Sequence, residues 1–452
     1  MIEALEAFRN NRLELWCPKI TVRKQKSEKL IEYSGAGLIR QNQNRRLEFV
    51  LIENPSPSVS ENLKRMLDHN VKVGKLISSD DYYSLEAIDL SGLNWTANRL
   101  WISHSFGPAG SIAYGDVYIL EHKGYSDSQN NTINIEIFDN INLPLPEATK
   151  KTIKLGSDEL ASWRRNMVNI KIGQFEITIL NEPGFLTVSA AADNENFPGN
   201  FETRIIEALQ FISSRTIHWG ILCKTIDGKS SIILQSPQKK SRPINLSLPI
   251  DYNRSDIFGY YVWPLFEKYL QHILSFEGEN IFEMHPISAW LHFARNASTG
   301  SIYAKGLGLS IAIEGILECE YSNIGIPSQG YVKDLEEMIS YVDSFSGNEN
   351  IKLRALGALN SMKITRAKDK LLALREEGIV RRNDVFAWDA IRNKGAHARP
   401  PEKEERQTWI DNCFKLEVLL NHLIFNAIEY NGEYTDYSSL NWPQSLYPGN
   451  KH

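Results

Sequence analysis

The chain has 452 residues, of which 42% are hydrophobic and 23% charged, and its formal net charge is −5. This length is too great for one typical core and predicts two or three domains, with the composition of a folded soluble protein. The net charge excludes a surface coated in positive charge for general nucleic-acid binding, so any site for a polyanion must be local.

The N-terminus and the cysteines indicate a cytoplasmic protein. The first residues, MIEALEAFRNNRLELW, lack the basic stretch and apolar run of a signal peptide. No apolar run is long enough to span a bilayer, so we expect no membrane contact. The cysteines have no CxxC pair, which argues against a zinc ribbon, a redox motif or a disulfide scaffold. They are Cys17, Cys223, Cys319 and Cys413.

The first half of the chain has the pattern of β-structure. β-branched and aromatic residues concentrate in short, partly alternating runs, as strands require. These runs include RRLEFVLIE (45–53), SIAYGDVYILE (111–121) and TINIEIFD (132–139).

Turn and helix signals divide this half further. Gly173 and the pair Asp227–Gly228 lie between apolar runs and predict tight hairpins. The stretch FETRIIEALQFISS (201–214) predicts one short helix. We therefore predict a β-sandwich-like half with two β-rich subdomains, residues 1–155 and 156–255.

Beyond residue 255 the spacing of apolar residues becomes helical, as in packed amphipathic helices. We predict a linker helix in 256–284, a helical bundle in 285–430 and a C-terminal tail in 431–452. The fold class is therefore α+β and multidomain. The helices predicted in the bundle are 285–297, 305–321, 330–345, 351–378, 384–399 and 404–430.

The stretch WDAIRNKGAHARP (388–400) carries the strongest candidate for chemistry, Arg392, Asn393 and His397. Arginine is a permanently charged fork that matches phosphate oxygens, and histidine transfers protons near neutral pH. RNA supplies its own nucleophile, the 2′-hydroxyl, so a metal-free enzyme needs a proton-transfer group and a cation. His397 and Arg392 fit these two roles, while Asn393 would orient the imidazole or bind a phosphate oxygen.

Two observations keep a simpler interpretation open, in which these residues form a solvated helix face. The same spacing recurs in RLWISH, from Arg99 to His104, within a strand-like region. On a helix, Arg392 and His397 point about 140° apart, whereas Asn393 and His397 share a face. A second copy of the chain packed on this helix would gather the groups, so we expect a homodimer with a composite cleft.

Nearby charges extend the candidate site. Four basic residues form a local patch for RNA: Arg381, Arg382, Lys394 and Arg399.

Glu314 lies in the apolar stretch LSIAIEGILE, where a buried carboxylate needs a partner. It either holds Arg392 in place or faces water at a boundary position. We expect Trp388 and Phe386 to pack in the core rather than to stack on bases.

Other chemistry finds little support. His272, His285 and His292 have no ligand-like spacing with each other or with the cysteines, so no metal is predicted. The chain lacks GxxxxGK[ST] and GxSxG, which argues against a phosphate-binding loop and a hydrolase nucleophile. We expect no cofactor.

The R-N-x-x-x-H signature, present as RNKGAH (392–397), resembles that of the HEPN superfamily, in particular its ApeA-like branch. The stretch GLSIAIEGILE looks like the family's early helix bearing a glutamate, here Glu314. The likeness covers residues 285–430. LWCP (15–18) and GLIRQNQNRRLEFVLIE (37–53) are similar to the opening strands of ApeA-like proteins.

This resemblance implies a metal-independent endoribonuclease that dimerises and serves as a bacterial toxin or in abortive infection against phage. HEPN domains without catalysis usually lack the arginine or the histidine, and this chain keeps both. The β-rich half would then sense a phage-derived trigger or an antitoxin, or restrain the nuclease. The alternative is a non-catalytic HEPN module that dimerises or binds a partner, joined to a β domain that holds a ligand.

Overall fold

A computed structural model shows two compact units that interleave along the chain. The first comprises Met1–Phe197 and Ile217–Lys240, and the second Pro198–Thr216 and Ser241–His452. The structure describes residues 1–25, 31–53, 78, 81–107, 110–128, 130–155, 158–192, 196–237, 246–254, 261–276, 284–396 and 405–448.

The predicted fold class is confirmed: a large antiparallel sheet in the first half is followed by a helical second half. Within the described ranges, no helix combines the length and the apolar character needed to cross a membrane.

The described residues of the first unit form one short helix, α1 (Ile2–Arg9), and fifteen strands. The strands are β1 (Glu14–Lys24), β2 (Glu32–Gln41), β3 (Leu47–Glu53), β4 (Tyr83–Ile88), β5 (Asn94–Leu100), β6 (Ser103–Gly107), β7 (Gly110–Val117), β8 (Ile119–Tyr125), β9 (Asn131–Ile137), β10 (Glu147–Leu155), β11 (Asp158–Ile172), β12 (Phe175–Glu182), β13 (Phe185–Ala192), β14 (Trp219–Ile226) and β15 (Lys229–Gln235).

These strands are hydrogen-bonded into a single sheet in the order β10-β11-β12-β13-β9-β14-β15-β8-β5-β4-β1-β2-β3-β7-β6. The pairing between β5 and β8 is short and consists of Trp95 with His122 and Thr96 with Glu121. The sequence predicted a boundary between two subdomains at residue 155, but the sheet is continuous across this position. The boundary falls in the hairpin between β10 and β11, and β9 pairs with both β13 and β14, so strands from both predicted subdomains belong to one unit.

Alternation along the strands builds the core of this unit. In β3, Leu47, Phe49 and Leu51 are fully buried, while the residues between them are more accessible. The period of two in the side chains places every second residue on the core face. Trp95 is also buried, and its indole N–H donates to Asp89 at 2.9 Å. Without this hydrogen bond the buried N–H would have no partner.

The predicted hairpin turns are present. Gly173 has φ +57° between β11 and β12, and Asp227 and Gly228 have φ +50° and +70° between β14 and β15. Two consecutive residues with positive φ give the tight turn whose twist suits a two-stranded hairpin.

The second unit contains the other helices that the structure describes. The predicted short helix is present as Phe201–Ser213, but it belongs to this unit rather than to the β-rich one. The helices are α2 (Phe201–Ser213), α3 (Val262–Leu274), α4 (Pro286–Ala297), α5 (Ile302–Glu320), α6 (Gln329–Asp343), α7 (Glu349–Ser361), α8 (Ala367–Glu376), α9 (Arg382–Ala396) and α10 (Arg406–Ala427).

The long helix predicted for 351–378 is instead two helices, α7 and α8. The Asp369 carboxylate accepts the backbone N–H of Arg366 at 3.0 Å, which satisfies a donor at the start of α8 and lets a new helix begin there. Apolar spacing continued across this break, so the sequence pattern did not reveal it.

The central part of helix α5 is mostly apolar, and this helix packs closely on α4. A side chain at Gly308 would collide with Ala297, and one at Gly315 would collide with Trp290. Glycine at these two positions therefore permits the close approach of α4 and α5. Glu314 lies between these two glycines, and its immediate neighbours on the helix are apolar.

The described part of the predicted C-terminal tail, residues 431–448, contains two strands and belongs to the second unit. Its strands β16 (Gly432–Thr435) and β17 (Gln444–Tyr447) form a two-stranded sheet. The backbone N–H of Thr435 donates to the carbonyl of Pro249 at 3.0 Å. This segment is thus held by contacts that the sequence alone did not predict.

Candidate functional site

Helix α9 carries two residues of the candidate motif, Arg392 and Asn393, and is held in place by its buried face. Val385, Trp388 and Ile391 are buried, at the three-residue spacing that keeps one face of a helix in the core. The indole N–H of Trp388 donates to the carbonyl of Ser310 on α5 at 3.3 Å. Packing thereby fixes α9 against α5 one turn before the motif begins.

Arg392 lies one turn beyond Trp388 and contacts Glu314, one turn beyond Ser310. Its Nε donates to Glu314 Oε1 at 2.5 Å. The two contacts are therefore one helical turn apart on each helix. The structure therefore brings together the arginine and the glutamate that the sequence singled out, although they are 78 residues apart.

The guanidinium of Arg392 is oriented but accessible. Its central carbon lies 5.9 Å from the centre of the Trp388 ring, and 47% of the side chain is exposed. Glu314 uses the Nε donor, and among the described residues the Nη groups have no hydrogen-bonded partner. An arginine held this way presents its free fork to solvent, the geometry that suits an oxyanion.

Asn393 lies on the exposed side of α9. Its amide donates to Asp389 Oδ1 at 3.3 Å, one turn earlier on the same helix. The other oxygen of Asp389 accepts from Lys368 of α8 at 3.0 Å. Asn393 is therefore positioned by a carboxylate that the sequence reasoning overlooked, although the four-residue spacing was a usable signal.

Two predicted site residues, His397 and Arg399, lie outside the described residues. The described part of α9 ends at Ala396. The structure therefore establishes the positions of Arg392, Asn393 and Glu314, and the convergence of Arg392 with His397 stays a prediction.

Some of the basic residues predicted to bind RNA are paired with carboxylates of this chain. Arg381 donates to Asp384 at 2.7 Å, to Asp436 at 2.7 Å and to Ser438 at 2.8 Å. Burial by itself would lower the pKa of Arg381, but the carboxylates of Asp384 and Asp436 raise it above the ordinary value. Arg381 is therefore part of an ion-pair network with Asp384 and Asp436, although 37% of its side chain is exposed, and RNA binding by Arg381 stays a prediction.

Lys394 and Arg382 differ in their availability. Lys394 pairs with Glu405 at 2.7 Å, with both side chains almost half exposed. Arg382 lies over the ring of Phe386 at 5.2 Å and has no carboxylate partner within the described ranges. Of the predicted RNA-contacting residues that the structure describes, Arg382 is the one most open to an anion.

The two aromatic residues of α9 behave differently. Trp388 packs in the core, as predicted. The same prediction for Phe386 is wrong, because 52% of this residue is exposed on the outer face of α9. Its position two residues before Trp388 places it away from the buried stripe.

A second polar cluster escaped the sequence analysis. His272 and His285, which showed no ligand-like spacing, meet Glu320 in the second unit, with all three ligand atoms within 4.8 Å of one another. The residues come from three different helix ends, so only packing brings them together.

Comparison with protein-family models, with curated proteins and with solved structures finds no match to this chain. What can be said of the site therefore depends on its own geometry and on the motif.

Proposed function

We propose that this protein is a metal-independent endoribonuclease of the HEPN type, in which Arg392 and His397 act on one phosphodiester. The observation that carries the proposal is Arg392 itself. Glu314 and Trp388 hold the guanidinium in one orientation while leaving its Nη donors accessible. A solvated helix face needs no such support from a second helix.

The chemistry assigned to these residues is transfer of the phosphoryl group within RNA. One group removes the proton of the 2′-hydroxyl, the 2′-oxygen bonds to phosphorus, and the bond from phosphorus to the 5′-oxygen breaks. The departing 5′-oxygen takes up a proton. His397 would supply the acid or base, and the products would carry a 2′,3′-cyclic phosphate and a 5′-hydroxyl.

Arg392 would stabilise the negative charge that builds on the non-bridging oxygens during this step. Its Nη donors are available for two parallel hydrogen bonds to phosphate. Glu314 offsets part of the positive charge, but it also reduces the freedom of a long side chain, so less entropy is lost when RNA binds. Asn393 would bind a phosphate oxygen or orient the imidazole after releasing Asp389.

A homodimer would complete this site. Helices α6 and α7 pack mainly on each other: Leu335 is the one buried residue of α6, and α7 has none. Large apolar side chains exposed on such a pair of helices suit a surface that binds another protein. We assign them to the second copy of the chain. They are Tyr331, Met338, Tyr341, Phe345, Ile351 and Leu353.

The biological setting is proposed from the motif resemblance. Cleavage of cellular RNA would arrest growth, as a toxin or during abortive infection, and the β-rich unit would sense a phage-derived trigger or bind an antitoxin. This role places the protein in the cytoplasm.

A second candidate function is a non-catalytic module that dimerises or binds a partner. The observation that favours it is the pairing of Arg381, Lys394 and Arg392 with carboxylates. Such pairs would serve a scaffold as well as an enzyme.

Expression in bacteria separates the two candidates. Wild-type protein should arrest growth, and Arg392→Ala and His397→Ala should each abolish the arrest while remaining folded by circular dichroism. Arg375→Ala is a matched control, because it removes an arginine of α8 that pairs with Glu376, and it should retain most of the toxicity. Equal toxicity in all variants would favour the non-catalytic module.

A further inference from the structure

Three ligand-type side chains from three helices converge in the second unit. His272 lies near the end of α3, His285 precedes the first residue of α4, and Glu320 is the last residue of α5. We propose that His272, His285 and Glu320 form a binding site for a divalent transition-metal ion of the zinc type.

The distances already approach those of a metal site. His272 Nε2 and Glu320 Oε2 are 3.2 Å apart. Two ligands that each lie about 2.0–2.1 Å from a tetrahedral ion are separated by about 3.3 Å. The remaining ligand atom is at most 4.8 Å from the others, so His285 needs to approach by about 1.5 Å or less. A small rotation of the imidazole supplies such a movement.

The ligand types select the metal. Two imidazoles and one carboxylate form a set that zinc and similar ions prefer. Calcium and magnesium prefer oxygen ligands throughout, so they fit this cluster poorly. A water molecule would supply the fourth ligand, because three protein donors leave one tetrahedral position open.

Burial points to a structural role. His285 is only 5% exposed, and the ring of Phe276 lies edge-on to it at 5.2 Å. The side chains of His272 and Glu320 are 24% and 16% exposed, which leaves an entry path for an ion but no room for a large substrate. A metal here would link the ends of α3 and α5 to the start of α4.

Metal binding would exchange one hydrogen bond for a metal bond. In the absence of metal, His285 Nδ1 accepts the backbone N–H of Ile287 at 3.2 Å and caps α4. An imidazole bound to metal through either nitrogen loses this acceptor, because Nδ1 then binds the metal or carries the ring proton. Hydrogen exchange at the Ile287 amide should therefore quicken when the metal binds.

The cluster is separate from the proposed RNA site. Glu320 follows Glu314 by six residues on α5, which corresponds to about 9 Å along the axis and about 240° around it. The metal inference therefore goes beyond the proposed ribonuclease and does not depend on it.

Titration of chelator-treated full-length protein with Zn²⁺ tests the proposal, with Co²⁺ as a spectroscopic probe. We expect about one tight Zn²⁺ per chain, and visible Co²⁺ absorption typical of a tetrahedral site. His272→Gln, His285→Asn and Glu320→Gln should each weaken Zn²⁺ binding by at least about tenfold. Asparagine at 285 keeps a helix-capping acceptor, so this variant removes the ligand without removing the cap. His292→Gln on α4 is the matched control.

Retention of tight Zn²⁺ binding by folded variants at all three positions would overturn the proposal. So would wild-type protein that binds no Zn²⁺ above the level of weak surface sites. If a variant fails to fold, the wild-type Zn²⁺ stoichiometry and Co²⁺ spectrum decide the matter. Loss of binding in the three ligand variants, with His292→Gln unchanged, would support the site whether or not the protein cleaves RNA.

Discussion

Arg392 of α9 and Glu314 of α5 are joined at 2.5 Å, one helical turn beyond the contact between Trp388 and Ser310. The two contacts lie one turn apart on each helix and together hold α9 against α5. Glu314, which precedes Arg392 by 78 residues, thereby positions a charged residue of the motif. The consequences of this relationship can be measured.

Glu314→Ala should reduce RNA cleavage at least about tenfold, because Arg392 loses the partner that orients it. The loss of folding free energy should stay below about 1 kcal/mol, because both side chains are partly exposed and solvent screens the pair. Glu314→Gln keeps an acceptor and should retain most of the activity. Cleavage assays and urea unfolding on the same preparations measure both effects.

The matched control for this prediction is Glu318→Ala. Glu318 is also on α5, but its partner is Lys370 of α8. If both alanine variants lose activity equally, the position of Glu314 has no special role.

Arg381→Ala should lower the free energy of unfolding rather than the affinity for RNA. Its loss leaves the buried carboxylates of Asp384 and Asp436 without their cation, at a cost of about 2–3 kcal/mol in unfolding free energy. RNA affinity of the folded fraction should change less than about twofold, whereas Arg382→Ala should weaken it, because phosphate contacts depend on accessible cations. Urea unfolding and filter binding give the two quantities, and an RNA defect in Arg381→Ala without loss of stability would refute this assignment.

His422 should make the second unit sensitive to acid. Neither ring nitrogen has a hydrogen-bond partner within the described ranges, and burial lowers the pKa of His422 to about 3. The charge of Arg381 contributes to this lowering of the pKa, and Asp436 opposes it. The unfolded chain has the higher pKa, about 6.5, so the unfolded state gains protons first as the pH falls.

The stability contributed by neutral His422 is therefore complete above about pH 6.5 and is lost progressively between pH 6.5 and 3, with a slope of up to about 1.4 kcal/mol per pH unit. His422→Phe should flatten the profile of unfolding free energy in this window, and His292→Phe should leave it unchanged. Identical slopes for wild type and His422→Phe would show that this residue does not titrate as described.

The homodimer should depend on α6. A charge in the middle of an apolar interface is left unpaired, so Met338→Glu with Tyr341→Glu should weaken self-association at least tenfold. Sedimentation velocity over a range of concentrations measures this equilibrium. Lys333→Glu places the same charge on the same helix and should have a smaller effect. Unchanged self-association in the double variant would show that the interface does not include this part of α6.

Local signals in the sequence predicted the elements well. The positive-φ pair Asp227–Gly228 and the helical spacing beyond residue 255 each depend on neighbours in the chain, so a linear pattern contains them. The break between α7 and α8 was missed because Asp369 caps a new helix where apolar residues continue.

Non-local packing explains the remaining differences. Strand β9 pairs with β13 and β14, which follow it by more than 45 residues, and no local signal specifies those partners. The same applies to His272, His285 and Glu320, whose spacing of 13 and 35 residues is unlike any metal motif. Glu314 was found because a carboxylate in an apolar helix needs a partner, whereas Asp436 in the tail gave no such signal.

The most direct test of the account is incubation of wild-type and His397→Ala protein with total cellular RNA, with and without phage products, followed by mapping of the cleaved ends. We expect wild-type protein to generate 2′,3′-cyclic phosphate and 5′-hydroxyl ends, and His397→Ala to generate none. Intact RNA with the wild type under both conditions, or the same ends with His397→Ala, would contradict the proposal that this protein cleaves RNA through the motif.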